Sequence, residues 1–118
     1  MQINEVKKIK ENIKKVLDLN KAINIEVIDL KDKSTIADYM IIASGTSSRH
    51  IQSLSEQVLE IFKNNGIKNP FLEGKSSPEW KLIDGKDIVV HIFHPEKRKF
   101  YDLEKMWSEL IPKERLFI

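Results

Sequence analysis

The chain has 118 residues, a length typical of one domain, and 41% of them are hydrophobic, enough to form a buried core. The 20 basic and 18 acidic residues give a net charge of +2, a balance that argues against nucleic acid as the main ligand. Cysteine is absent, so disulfide and thiolate chemistry are excluded. No apolar run approaches the roughly 18 residues that a membrane span requires, and Glu5 and Glu11 disfavour a signal peptide, so we expect a cytoplasmic protein.

The first half of the chain predicts a helix, two strands and a second helix. Apolar residues recur every three or four positions over residues 2–18, which is the pattern of an amphipathic helix. The β-rich run 25–30 predicts a strand, and the continuous apolar run 39–43 is typical of a strand buried on both sides. Small polar residues at 44–48 are expected to cap a second helix over about residues 49–64, which Asn65 and Gly66 would end.

The second half predicts three strands and a last helix. Residues 70–73 can form a short edge strand. Residues 80–83 and 88–93 are two apolar runs around the turn signal Asp84-Gly85, which predicts a β-hairpin. Pro95 fits the first turn of a last helix, whose apolar stripe consists of Phe100, Leu103, Trp107 and Leu110.

The predicted element order is α-β-β-α-β-β-β-α. The connection from residues 39–43 through the second helix to Phe71 is long enough to join parallel strands, whereas the hairpin is antiparallel. We therefore expect an α/β (α+β) fold with a mixed five-stranded sheet and helices packed mainly on one side, in a single domain spanning residues 1–118.

The two faces of the hairpin follow from strand alternation, whether the loop has two residues or four. Trp80 and Leu82 share one face with Val89, His91 and Phe93. The other face is aliphatic apart from Lys81. A hairpin with one solvent-exposed side normally alternates apolar with polar residues. Because both faces of this hairpin are largely apolar, either helices cover both faces or one face binds a partner.

Residues 45–48 follow a buried strand and precede a helix, so the free amides of the helix N-terminus could hold an anion. Ordinary N-capping is the favoured explanation of these residues, because the lysine and spacing of a P-loop are missing. The arrangement is also similar to that of nucleotidyltransferases, which need paired carboxylates on a following strand to hold metal ions. The next strand offers only Glu73, which argues against that activity.

Other candidates for chemistry have simpler explanations. The three histidines, His50, His91 and His94, lack metal-ligand spacing, and His91 is expected to be a half-buried polar residue on an apolar face. Asp84 is explained by turn chemistry and Asp87 by exposure to solvent. The serines of residues 47–48 lie in no nucleophile-elbow motif, so an enzyme is the weaker interpretation and no cofactor is expected.

Aromatic residues give the stronger functional indication. Trp80, Tyr101 and Trp107, with the apolar hairpin face, amount to more apolar surface than three helices easily cover. Exposed apolar surface marks interaction sites, and Trp and Tyr dominate the energetics of interfaces. The sequence therefore favours a binding module.

Several blocks of the sequence resemble the ribosomal silencing factor family (RsfS, also called Iojap). They are DYMIIASGTSSRH at 38–50, EG at 73–74, WKLID at 80–84, DIVVHIF at 87–93, RKFYDLE at 98–104 and Trp107. The resemblance covers about residues 3–110. Lys81 departs from the pattern, because an apolar residue is common at that position.

The resemblance implies a cytoplasmic, non-enzymatic factor with a sheet related to nucleotidyltransferases but without their catalytic carboxylates. Such a factor would bind the large ribosomal subunit through ribosomal protein number fourteen, block subunit association under nutrient limitation, and form a homodimer when free. The resemblance gives as contacts Trp80, His91, Phe93, Tyr101 and Leu103, with Asp84, Glu96 and Arg98 as a polar rim. It implies neither a membrane nor a sequence-specific nucleic acid as partner. Alternatives are a nucleotide-binding protein of nucleotidyltransferase type and a homodimeric scaffold with another partner.

Overall fold

The computed structural model describes residues 3–33, 37–75 and 77–96. Their elements follow the predicted order, with ends shifted by one or two residues. They are α1 (Ile3–Leu19), β1 (Ile23–Asp29), β2 (Tyr39–Ser44), α2 (Ser48–Asn64), β3 (Phe71–Glu73), β4 (Trp80–Asp84) and β5 (Ile88–Phe93). The predicted last helix lies outside the described residues, apart from its start at Pro95 and Glu96.

The five strands form one mixed sheet in the order β1-β2-β5-β4-β3. β2 and β5 are parallel central neighbours, and the remaining pairs are antiparallel. β3 therefore runs in the same direction as β2, as the crossover length predicted, but it lies three strands away at the edge of the sheet. The mixed five-stranded sheet predicted from the sequence is confirmed.

Helices α1 and α2 pack on one face of the sheet, which we call the helix face. The apolar stripes of both helices meet the helix-face residues Tyr39, Ile41, Ala43, Ile83, Ile88, Val90 and Ile92 in one core cluster. A second cluster lies on the opposite face, which we call the second face, and includes Met40, Ile42, Leu82, Val89 and Phe93. The continuous apolar runs of β2 and β5 are explained, because every residue of both strands is buried.

Capping residues fix both ends of α2. The Ser47 hydroxyl accepts a hydrogen bond from the His50 amide at 3.1 Å, as expected of an N-cap serine. At the other end, Gly66 has a φ of +78°, and the Ile67 amide donates to the Phe62 carbonyl at 3.0 Å. This pattern is a Schellman motif, and it confirms the predicted glycine stop.

The hairpin turn differs from the usual Asp-Gly turn in which of its residues has a positive φ angle. The positive φ of +75° belongs to Lys86, whose amide donates to Asp84 Oδ1 at 2.8 Å. Gly85 is needed for packing, because a Cβ atom there would lie 2.5 Å from Cε1 of Phe62.

Candidate functional site

The candidate site is a group of aromatic rings on the second face, where β4 begins and β5 ends. Trp80 pairs across the strands with Phe93, and the neighbouring pair is Leu82 with His91. The ring centroid of Trp80 lies 6.4 Å from that of His91 and 6.4 Å from that of Phe93. The His91 and Phe93 rings are stacked with centroids 5.7 Å apart. The predicted shared face is therefore confirmed.

The burial of these rings corrects two expectations. His91 is 3% exposed and Phe93 is 2% exposed, so the prediction of a half-buried histidine is wrong, and this face does not lie open at β5. Strand alternation assigned both side chains to the correct face, but alternation does not show what packs over a face. Trp80 is half-buried, so it is the ring of this group with surface left for a partner.

His91 is held as a neutral imidazole. The indole Nε1 of Trp80 donates to His91 Nδ1 across a long 3.4 Å contact, which places the ring proton on Nε2. Nε2 is buried and has no hydrogen-bond partner among the described residues. Burial lowers the pKa of His91 from the ordinary 6.5 to about 4, because an imidazolium at this position would lose its hydration.

The side chain of Lys81 holds the loop that precedes Trp80. Its side chain is 3% exposed, and Nζ donates to the carbonyl oxygens of Gly74, Lys75 and Ser77 at 2.6, 2.9 and 2.8 Å. The loop then packs against the indole, since a Cβ atom on Gly74 would lie 3.0 Å from Cε3 of Trp80. The polar residue in an apolar strand thus ties to β4 the loop that packs against the half-buried indole.

The structure places the predicted polar residues apart from one another. Asp84 is half-buried and lies on the second face at the far end of β4, about 13 Å from Trp80 along the strand. Glu96 is exposed and follows β5. Three predicted contacts lie outside the described residues, namely Arg98, Tyr101 and Leu103.

Sequence reasoning missed Phe71 as a candidate. Phe71 is 55% exposed, more than any other aromatic side chain of the described residues. It pairs directly with Asp84, so it lies on the second face together with Trp80. The short run 70–73 predicts an edge strand, but its register against β4 depends on the intervening loop and cannot be derived from the sequence.

In the loop at residues 45–48, the amides of Gly45 and Thr46 already donate hydrogen bonds within the chain. The Thr46 amide donates to His50 Nδ1 at 2.9 Å, while His50 Nε2 contacts the Asn20 carbonyl oxygen at 2.8 Å. Gly45 is required because a Cβ atom there would lie 2.7 Å from Cγ1 of Ile51. These contacts favour N-capping and loop packing over anion binding.

Glu73 is also far from that loop. It lies on β3, three strands from β2, which corresponds to about 14 Å across the sheet. Within residues 3–33, 37–75 and 77–96, no group of three or more His, Cys, Asp or Glu side chains could hold a metal ion. No helix of this part of the chain is both long and apolar enough to cross a membrane.

Comparison with known families gives one consistent match. The model of the family described as "Ribosomal silencing factor during starvation" matches residues 3–116. A ribosomal silencing factor from Zymomonas mobilis is 43% identical over 92 residues, covering 78% of this chain and 69% of its own length. The Haemophilus influenzae ribosomal silencing factor is 35% identical over 98 residues, covering 83% of this chain and 96% of its own.

Solved structures share the same fold. A crystal structure of a Chromobacterium violaceum protein superposes with a TM-score of 0.82 at 30% identity, covering 98% of this chain and 94% of that one. A Bacillus halodurans crystal structure gives a TM-score of 0.75 at 31% identity, covering 86% of this chain and 94% of that one.

Proposed function

Because the chain belongs to the ribosomal silencing factor family, we propose that it binds the large ribosomal subunit and keeps the small subunit from joining it. Translation would then fall when nutrients are scarce. The observation that carries this proposal is the family match over residues 3–116, which includes every described strand and helix. The relatives' shared name, ribosomal silencing factor, supports the same role.

The contact is proposed to run through ribosomal protein number fourteen, with Trp80 as the apolar anchor. A half-buried indole that rests on stacked rings is fixed before binding, so little side-chain entropy remains to be lost. His91 and Phe93 would support this ring from below, because both are buried. The proposed contacts also include Asp84, Glu96, Arg98, Tyr101 and Leu103.

The proposed factor is cytoplasmic and acts by steric exclusion rather than by catalysis. The bonded amides near residues 45–48 and the distance of Glu73 from them support this part of the proposal. A nucleotidyltransferase would need carboxylates close to that loop to hold metal ions. When free, the chain is proposed to form a homodimer.

Pelleting through a sucrose cushion tests the binding step. Purified large subunits are mixed with the wild-type chain, with Trp80→Ala, and with Leu19→Ala as a control that truncates an exposed side chain on α1. We expect the wild type and Leu19→Ala to pellet with the subunit and Trp80→Ala to remain largely in the supernatant. Equal pelleting of a folded Trp80→Ala would remove Trp80 from the contact. Failure of the wild type to pellet would contradict the proposed function.

A thermal shift with ATP and Mg²⁺ tests the nucleotide-binding alternative. Steric exclusion predicts an unchanged melting temperature. A concentration-dependent rise would favour the alternative, since a ligand that binds only the folded state stabilises it.

A further inference from the structure

The charged side chains on the second face of the described strands are all acidic. The pairing registers place Glu26, Glu73 and Asp84 on this face, and no Lys or Arg of the described strands shares it. The whole chain has a net charge of +2, so the acidic character belongs to this face and not to the protein in general.

Two of these carboxylates flank the exposed ring of Phe71, and we call Phe71, Glu73 and Asp84 the acidic edge. Phe71 and Asp84 are directly paired, which places their Cβ atoms about 5 Å apart. Glu73 is two residues further along β3 and therefore points to the same face. A flat apolar ring and two carboxylates are thus within reach of one side chain of a partner.

Both carboxylates of the acidic edge are free of ion pairs among the described residues. The ion pairs there join Lys10 to Glu11 and Lys31 to Asp29. Asp84 Oδ1 accepts a hydrogen bond from the backbone amide of Lys86, which fixes the orientation of the carboxylate. Because this donor is an uncharged amide, it leaves the negative charge of Asp84 uncompensated. Glu73 is exposed and Asp84 is half-buried, so a partner can reach both.

We propose that the acidic edge is a docking surface for a basic segment of a protein partner, with an arginine stacked on Phe71 and ion-paired with Asp84. Arginine fits better than lysine because its planar guanidinium can stack on a ring and bind a carboxylate through two N–H groups. The inference rests on the proposed function and assigns the second face to the protein part of the large subunit. It adds Phe71 and Glu73 to the contact surface.

Other occupants fit the charge less well. The phosphates of RNA would be repelled by the carboxylates of the acidic edge. A second copy of the chain, related by a two-fold axis at this surface, would bring two acidic edges together, which is unfavourable for the same reason.

Binding of purified large subunits tests the inference with matched variants. Phe71→Ala and Asp84→Asn are compared with the controls Leu19→Ala and Glu60→Gln, which change an exposed leucine and an exposed carboxylate on the helices. We expect each acidic-edge variant to bind about tenfold more weakly and each control to stay within about twofold of the wild type. If the wild type binds and both acidic-edge variants match it, the inference is overturned while the proposed function stands.

A titration followed by NMR separates the inference from the proposed function. The full chain is titrated with an acetylated, amidated Gly-Arg-Gly-Arg-Gly peptide and with its citrulline counterpart, which keeps the shape but loses the charge. Backbone amide shifts at Phe71 and Asp84 with the arginine peptide, reduced in Asp84→Asn, support the inference even where large subunits do not bind. Absence of these shifts, or equal shifts with citrulline, contradicts it.

Sedimentation of the free chain tests the second copy as occupant. A dimer that becomes monomeric on Phe71→Ala, with subunit binding unchanged, would assign this surface to self-association and overturn the inference. A sedimentation coefficient that Phe71→Ala leaves unchanged supports it.

Discussion

The burial of His91 predicts that folding stability falls in mild acid. Burial lowers the pKa of this imidazole from 6.5 to about 4, so below pH 6.5 the unfolded chain binds a proton that the folded chain does not take up until about pH 4. The histidine therefore contributes stability that is fully present above pH 6.5 and is lost as the pH falls toward 4. The direction follows from linkage, because the unfolded state binds more protons in this range.

The magnitude follows from the size of the pKa change. One pH unit in this range corresponds to about 1.4 kcal/mol, so moving from about pH 7.5 to about pH 5 should cost about 2 kcal/mol of unfolding free energy. His91→Phe is the matched variant, because it keeps an aromatic ring stacked on Phe93 and removes the titration. It also removes Nε2, a buried atom that has no hydrogen-bond partner in the part of the chain that the structure describes.

Urea unfolding of both proteins at the two pH values measures this effect. Other groups titrate equally in both proteins, so the difference between the two pH dependences isolates His91. We expect the wild type to lose about 2 kcal/mol more than His91→Phe between the two pH values. Identical pH dependences would show that the imidazole is hydrated or has a hydrogen-bonding or charged partner. This result would refute the description of His91 as neutral and buried away from water.

Three further predictions concern binding and packing. Trp80→Ala should weaken binding to the large subunit by about 2 kcal/mol, measured by a pelleting titration, and unchanged affinity would exclude it as an anchor. Lys81→Met should lower the unfolding free energy by about 2 kcal/mol and speed amide exchange over residues 74–79, because three carbonyls lose their donor. Wild-type exchange rates in Lys81→Met would show that the ammonium does not hold the loop. Gly85→Ala should cost about 1–3 kcal/mol in urea unfolding through contact with Phe62, and an unchanged midpoint would contradict that packing.

Sequence reasoning was most successful where strand alternation decides the outcome. The side-chain period of two assigns Trp80, His91 and Phe93 to one face for either loop length, and the observed pairing of Trp80 with Phe93 agrees. The same rule could not give burial, because the packing over a face depends on elements distant in sequence. The sequence therefore places His91 and Phe93 on the correct face, but the exposure that it predicts for them is too high.

Lys81 and Phe71 show a second limit of sequence reasoning. In the sequence alone, a lysine in an apolar strand looks like a packing defect. In the structure, its ammonium group donates hydrogen bonds to three loop carbonyls, and this accounts for its burial. Phe71 joins the second face only through the register of β3 against β4, which the loop between them determines. The hydrogen bonds of Lys81 and the register of β3 both depend on the conformation of the loop between β3 and β4. No local sequence pattern predicts that conformation.

Subunit reassociation in a sucrose gradient tests the central claim most directly. Large and small subunits are mixed under conditions that favour joined ribosomes, with the wild-type chain, Trp80→Ala, Leu19→Ala or no addition. We expect separate subunit peaks with the wild type and Leu19→Ala, and a joined peak with Trp80→Ala and without addition. A joined peak in the presence of excess wild-type chain would contradict steric silencing by this protein.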